Sequence, residues 1–260
     1  MKTRMIFTAA FMMCVAVLVG QTRVVAHRGY WKTEGSAQNS ITALMKADQV
    51  RAWGSELDIL QTADGVLVVN HDATVGPDKI LIEAANYADI KDIKLPNGET
   101  LPTLKDYMKA FKKECRHTLL ILEIKQHTTD EKMIAATRAV VDMVKKMKIK
   151  DRVEYISFMP VICDEVLKCD PKAKVAYLSN KLTPAQCKER GYTGVDFHYS
   201  QFQLRPHWVK ECHDLGLEVN CWTVNGDEAL RQMIELGVDI ITTDVPERAA
   251  QLIKEYEGKK

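Results

Sequence analysis

"RVVAHRG", residues 23–29, starts as an apolar strand and ends on His27 and Arg28, two side chains able to carry positive charge, before a glycine turns the chain away. A buried strand that ends this way is opening onto something polar. Stretches of the same apolar kind, rich in Val and Ile, recur along the chain: "RVVAH", "SELDIL", "TLLILEIK", "RVEYISF", "KVAYLS", "TGVDFH", "LEVNCWTVN" and "VDIITTD". A helical pattern follows each of them. Alternating strands and helices pair in parallel through right-handed crossovers, and eight such units in one chain of this length predict an α/β fold, the (β/α)₈ or TIM barrel. The open doubly wound sheet is disfavoured, because the turn after the first strand lacks its Gly-rich fingerprint.

Residues 61–102 lie between the second strand and the helical pattern "LPTLKDYMKAFKKE", far more chain than a βα loop needs, and predict an insertion over the active site. The N-terminus has Lys2 and Arg4 ahead of an uncharged apolar run from Met5 to Gly20, the layout of a secretory signal peptide. Residues 1–20 are accordingly expected to be removed, residues 21–260 to form one barrel domain, and the product to be periplasmic or secreted. The run is shorter than a spanning helix requires, so the mature chain should hold no stable membrane span. With 36 basic against 35 acidic residues, the chain has no electrostatic footprint for nucleic acid. The cysteines beyond Cys14 are scattered without a C-x-x-C pair and read mainly as small buried hydrophobes. Nothing in the composition fixes an oligomeric state.

In a barrel, active sites form where the strands end, which makes the polar residues there the candidates. The first strand gives His27 and Arg28, the second Glu56 and Asp58, the third Glu123 and Lys125, the seventh Trp222, and the insertion adds His71 in "VNHD". Glu56 and Asp58 are two apart on a strand, as are Glu123 and Lys125, so each pair faces one way. Three carboxylates gathered from adjacent strands repel one another unless a cation joins them, and oxygen ligands suit one hard divalent ion, Mg²⁺ or Ca²⁺. Arg28 offers a planar fork and Lys125 a point charge for phosphate oxygens, while His27 and His71 can exchange protons near neutral pH. Together they point to metal-assisted phosphodiester cleavage. Trp222 reads equally as core or as an aromatic wall for substrate. His127, Phe197 and His198 read as structural or solvent-exposed, and Asp244, with Pro246 and Glu247 after it, as a helix cap outside the site.

The ordered set "AHRG", "SELDILQTADGVLVVNHD", "LEIK", "CWTVN" and "ITTDVPE" resembles the glycerophosphodiester phosphodiesterases over nearly the whole mature chain. The resemblance implies a phosphatidylinositol-phospholipase-C-like barrel, a divalent metal, and hydrolysis of glycerophosphodiesters to sn-glycerol 3-phosphate and an alcohol. It assigns Glu56, Asp58 and Glu123 to the metal, Arg28 and Lys125 to the phosphate, and His27 and His71 to acid and base work. One departure stands out. Where the family commonly has Pro-Glu-Asn-Thr, this chain has Ala37-Gln38-Asn39-Ser40, which removes a negative charge near the mouth. The alternatives are a lipid-directed enzyme, either phosphatidylinositol phospholipase C-like or acting on lysophospholipids, with Ile80, Leu81 and Ile82 as an apolar rim, and a non-catalytic binding protein on the same barrel.

Overall fold

The short apolar runs close into a barrel because each has one face for its interior and one for the surrounding helices. A computed structural model describes residues 21–259. The signal-peptide reading of residues 1–20 therefore lies outside the described residues. The barrel strands, numbered first to eighth, are Arg23–Ala26, Gly54–Gln61, Leu119–Ile124, Val153–Ser157, Val175–Tyr177, Gly194–His198, Glu218–Trp222 and Ile240–Thr243. Each is parallel to its neighbours, and the first pairs with both the second and the eighth, which closes the ring. The predicted eight-stranded barrel is the fold observed.

Side-chain alternation sorts the core. Val25, Ile121, Ile156, Leu178 and Ile240 fill the interior, while their outward neighbours such as Leu120, Leu122, Val195, Phe197 and Val219 pack beneath the helices. Glu123 and Lys125 keep step with inward Ile121, so the interior stripe of the third strand turns from apolar to charged at its C-terminal end. The register places Asp58 directly across from Glu123. Two carboxylates thus become neighbours through sheet geometry alone.

The helices are fixed by their ends. Ser40 caps helix Ile41–Gln49 by accepting from the Ala43 N–H at 3.0 Å, and Thr129 caps Asp130–Met147. Such caps contribute about 1 kcal/mol each. The helix at Asp130 also begins on acidic residues and ends on Lys145 and Lys146, complementing its dipole. Cysteines 115, 163, 187, 212 and 221 are buried, Cys169 is half-buried, and all are free thiols.

Between the second strand and helix Leu104–Glu114 the chain makes its own small structure. Leu67–Val69 folds back antiparallel on the second strand, and a short hairpin pairs Thr74–Val75 with Ile80–Leu81. A satellite core of Leu60, Val68, Val75, Ile82, Ile90 and Leu101 holds it. Glu83 pins it to the barrel by accepting from the N–H and hydroxyl of Thr128 and from Lys132. Ile82 is wholly buried in that core and only Leu81 of the Ile80–Ile82 trio is exposed. A continuous apolar rim on these residues is thereby lost: the strand ends at Leu81, and Ile82 begins a 3₁₀ turn that carries its side chain into the satellite core.

Candidate active site

The turn after the first strand is shaped by backbone strain. Arg28 has φ of 55° and Gly29 of 74°, and a Cβ on Gly29 would sit 2.6 Å from the Ala43 Cβ and 2.7 Å from its carbonyl carbon. Only glycine fits there. The left-handed Arg28 backbone aims its N–H at Glu56 Oε2, at 2.7 Å. Its side chain turns the other way, with Nη1 donating to Gln38 Oε1 at 2.7 Å and Nε 3.7 Å from Asp58 Oδ2. Gln38, which stands where the family commonly has glutamate, keeps a contact to the guanidinium without a charge.

Glu56, Asp58 and Glu123 are all buried, and each offers an oxygen within 4.8 Å of the others. Their surroundings are unequal. Asp58 is held by Lys125 at 3.1 Å and by the Asn39 amide at 2.8 Å, while its own N–H donates to Asn39 Oδ1. Burial opposes ionisation of Asp58, but Lys125, His71, Asn39 and Arg28 together outweigh it and lower the pKa. Burial and the charges of Asp58 and Glu123 push Glu56 well above the usual carboxylate range, and burial and Asp58 raise Glu123 to about 7. Glu56 Oε1 is buried without a hydrogen-bond partner. An all-oxygen set with an orphaned atom and more anions than it can ionise fits a hard divalent cation. Lys125 lies between Asp58 and Glu123, 2.6 Å from the latter, and these carboxylates raise its pKa against the opposing effect of burial.

The two histidines reach this group differently. His27 Nδ1 lies 2.8 Å from Asp244 Oδ1, and Asp244 also faces the Trp31 indole N–H, the Lys32 ammonium at 3.1 Å and the Asn225 amide at 2.8 Å. Burial opposes ionisation there too, but these contacts win and hold the Asp244 carboxyl far below its usual range. Asp244 is therefore no helix cap. Val245 occupies the cap position of Pro246–Glu257 without a side-chain bond, and Glu247 accepts from the Tyr30 hydroxyl instead. The capping spacing was real, but both carboxylates are claimed by groups from the first strand's loop. His71 follows the strand folded back on the barrel, where the Asn70 N–H donates to the Asp58 carbonyl at 3.0 Å. It is half-buried, its Nδ1 is 2.7 Å from exposed Asp72, and burial lowers its pKa.

His27, Arg28, Glu56, His71, Glu123, Lys125 and Trp222 all line one cavity of about 190 Å³, and Asp58 sits directly behind it. The sequence-predicted residues are thus brought together. The Trp222 indole donates to the Asp196 carbonyl at 3.0 Å and packs edge-on against Phe158 and His198, forming a wall of the cavity. His198 meets Ser200 at 2.8 Å. His127 staples the ends of the second and third strands, its Nε2 accepting from the Gln61 N–H and its Nδ1 facing the Lys125 carbonyl. Phe197 points outward against Phe202. Asn39, Gln38, Asp196 and Asp244 are additions to the sequence reading. No helix of the described residues is long and apolar enough to cross a membrane.

The family model described as glycerophosphoryl diester phosphodiesterase matches residues 27–248. A glycerophosphodiester phosphodiesterase of Caldanaerobacter subterraneus is 31% identical over 251 residues, covering 90% of this chain and 98% of its own. The crystal structure of a glycerophosphodiester phosphodiesterase from Parabacteroides distasonis is 47% identical with a TM-score of 0.89, over 91% of this chain and 98% of that one. An Oleispira antarctica phosphodiesterase, solved in complex with the product sn-glycerol-3-phosphate, shares the fold at a TM-score of 0.77 and 22% identity, over 90% and 97% of the two chains.

Proposed function

The chain belongs to the glycerophosphoryl diester phosphodiesterase family and is a glycerophosphodiester phosphodiesterase; from that premise we propose that it releases sn-glycerol 3-phosphate by divalent-metal-assisted, histidine-catalysed hydrolysis. The product bound in the Oleispira antarctica relative supports this choice of substrate. One observation carries the proposal. Anion-binding cations, an orphaned carboxylate cluster and two histidines converge on a single cavity.

Glu56, Asp58 and Glu123 would hold the cation, either Mg²⁺ or Ca²⁺. Bound there, it would supply positive charge against the phosphoryl oxygens as negative charge develops on them. Arg28 retains free guanidinium donors for those oxygens, with Gln38 and Asp58 setting the plane of its fork. Lys125 adds a second cation from the end of the third strand, two places round the barrel from Arg28. Asp244 accepts a hydrogen bond from His27 Nδ1–H, which leaves Nε2 to accept a proton from the attacking hydroxyl. His71 would protonate the departing alcohol. Its lowered pKa makes its imidazolium a stronger acid, and an anionic phosphodiester beside Arg28 favours that charged form.

Lys2, Arg4 and the apolar run behind them support export of the enzyme to periplasm or medium. The test of the reaction is release of sn-glycerol 3-phosphate from glycerophosphocholine, with lysophosphatidylcholine in detergent as the rival substrate. Metal-dependent release from the soluble diester is expected. Turnover of the lipid alone would move the enzyme to the lipid-directed class, and turnover of neither would favour a binding protein.

A further inference from the structure

Asp196 is a carboxylate that the phosphodiester chemistry above does not use. It stands on the sixth strand, one residue before outward-facing Phe197, and is 1% exposed. Its register partner is Asn220, one interior layer below Trp222 and His198. Trp222 donates to the Asp196 backbone carbonyl, which leaves the carboxyl itself unengaged by the indole. Oδ1 is buried with no hydrogen-bond partner, yet the residue lines the active-site cavity. Such an atom is costly to leave unpaired. The neighbouring interior carboxylate, Glu154, shows the ordinary solution, since Lys174 meets it at 2.8 Å.

The cavity around Asp196 is divided by chemistry. Arg28 and Lys125 stand at its phosphate end, Ile156, Phe158 and Leu178 give an apolar wall, and Asp196 and Thr242 give a polar floor. About 190 Å³ holds at least roughly six waters' share of liquid volume, the scale of a three-carbon polyol. Phosphate at one end, carbons along the wall and a hydroxyl on the floor is the shape of a glycerol monoester.

We propose that Asp196 binds a hydroxyl of the glycerol moiety, and so selects glycerol phosphodiesters over phosphodiesters that lack it. This rests on the reading of the site as a glycerophosphodiester phosphodiesterase. Either state of the carboxyl accepts from a hydroxyl, and burial, with Glu123 and Glu154 nearby, raises its pKa and favours the neutral acid, which can also donate. Asp196 acts in this account on recognition of the substrate and takes no part in proton transfer to the leaving group.

The test is calorimetric binding of sn-glycerol 3-phosphate and of n-propyl phosphate, which lacks the hydroxyls, to the metal-loaded protein. The wild type should prefer the glycerol ester. Asp196→Ala should lose about tenfold or more of that preference by weakening only sn-glycerol 3-phosphate, while Asp196→Asn, which keeps a donor and an acceptor, retains part of it. Should the alanine variant not fold, Asp196→Leu fills the space and carries the same comparison. An unchanged ratio, or equal weakening of both esters, overturns the proposal. Failure of the underlying activity is a separate result: a wild type that releases no sn-glycerol 3-phosphate from glycerophosphocholine, whatever these binding ratios show.

Discussion

At the N-terminal end of the barrel Glu154 meets Lys174 at 2.8 Å, and Glu218 meets Arg23, whose guanidinium also lies 4.2 Å over the Trp53 ring. At the C-terminal end Glu56, Asp58 and Glu123 crowd within 4.8 Å of one another, and Lys125 bridges two of them. The residue types are the same at both ends and the pairing is not. Below, each acid has its own cation, so the charges are neutralised inside the fold. Above, acids outnumber the cations that reach them, and the proposed divalent cation would offset that imbalance. Sites of this kind trade stability for function, which gives the two ends opposite responses to the same substitution.

The largest contrast should be in turnover. His27→Ala is expected to lower kcat/KM by about 10²- to 10⁴-fold with the fold intact, because the proposed general base is lost. Asp244→Asn should fall toward the lower end, about 10²-fold, since the imidazole remains and only its tautomer and orientation are released. Glu218→Gln at the other end should leave turnover unchanged. Steady-state kinetics on glycerophosphocholine measures all of them, and an Asp244→Asn enzyme with wild-type kinetics would return that residue to a structural role.

A smaller contrast should appear in stability, with reversed sign. Glu56→Gln is expected to raise the melting temperature of metal-free protein at pH 8 and to abolish stabilisation by added Mg²⁺ or Ca²⁺. The pH dependence follows from Glu123, whose pKa rises from 4.5 to about 7 in the folded chain. Between those values the folded state binds more protons than the unfolded one, so metal-free stability should fall as pH climbs through that window. Thermal melts from pH 4.5 to 7 check the slope, and a fall that persists undiminished in Glu123→Gln would remove the mouth as its cause.

The smallest effect belongs to the lower end. Glu218→Gln breaks a half-exposed ion pair with Arg23 and should cost about 1 kcal/mol or less. Denaturant unfolding measures this. A loss several times larger would mean that the lower charges are as strained as the upper ones, and the comparison would collapse.

The barrel was legible because its strands are short apolar runs of β-branched residues, a pattern few other folds repeat so often. Glu56, Asp58, Glu123 and Lys125 were legible for a related reason: charges at period two in an apolar strand have one polar place to go. Asp244 was misread because "TDVPE" satisfies a local capping pattern, and only closure of the barrel brings His27 beside it. Asn39 and Gln38 sit in a loop with no periodicity; the family resemblance placed their segment near the mouth, but their grip on Asp58 and Arg28 emerges only in the fold. Asp196 did leave one, as the lone acid in "GVDFH", but it lies within the strand, where a search of strand ends does not look. Ile82 failed as a surface residue because the insertion has a core of its own.

The most direct test is a calorimetric titration of EDTA-stripped protein with Mg²⁺ and with Ca²⁺ near pH 7, in two buffers of different ionisation enthalpy. The account predicts one binding event that releases protons as Glu56 and Glu123 ionise, and its loss in Glu56→Gln. No binding of either ion, or binding untouched by that substitution, would contradict it.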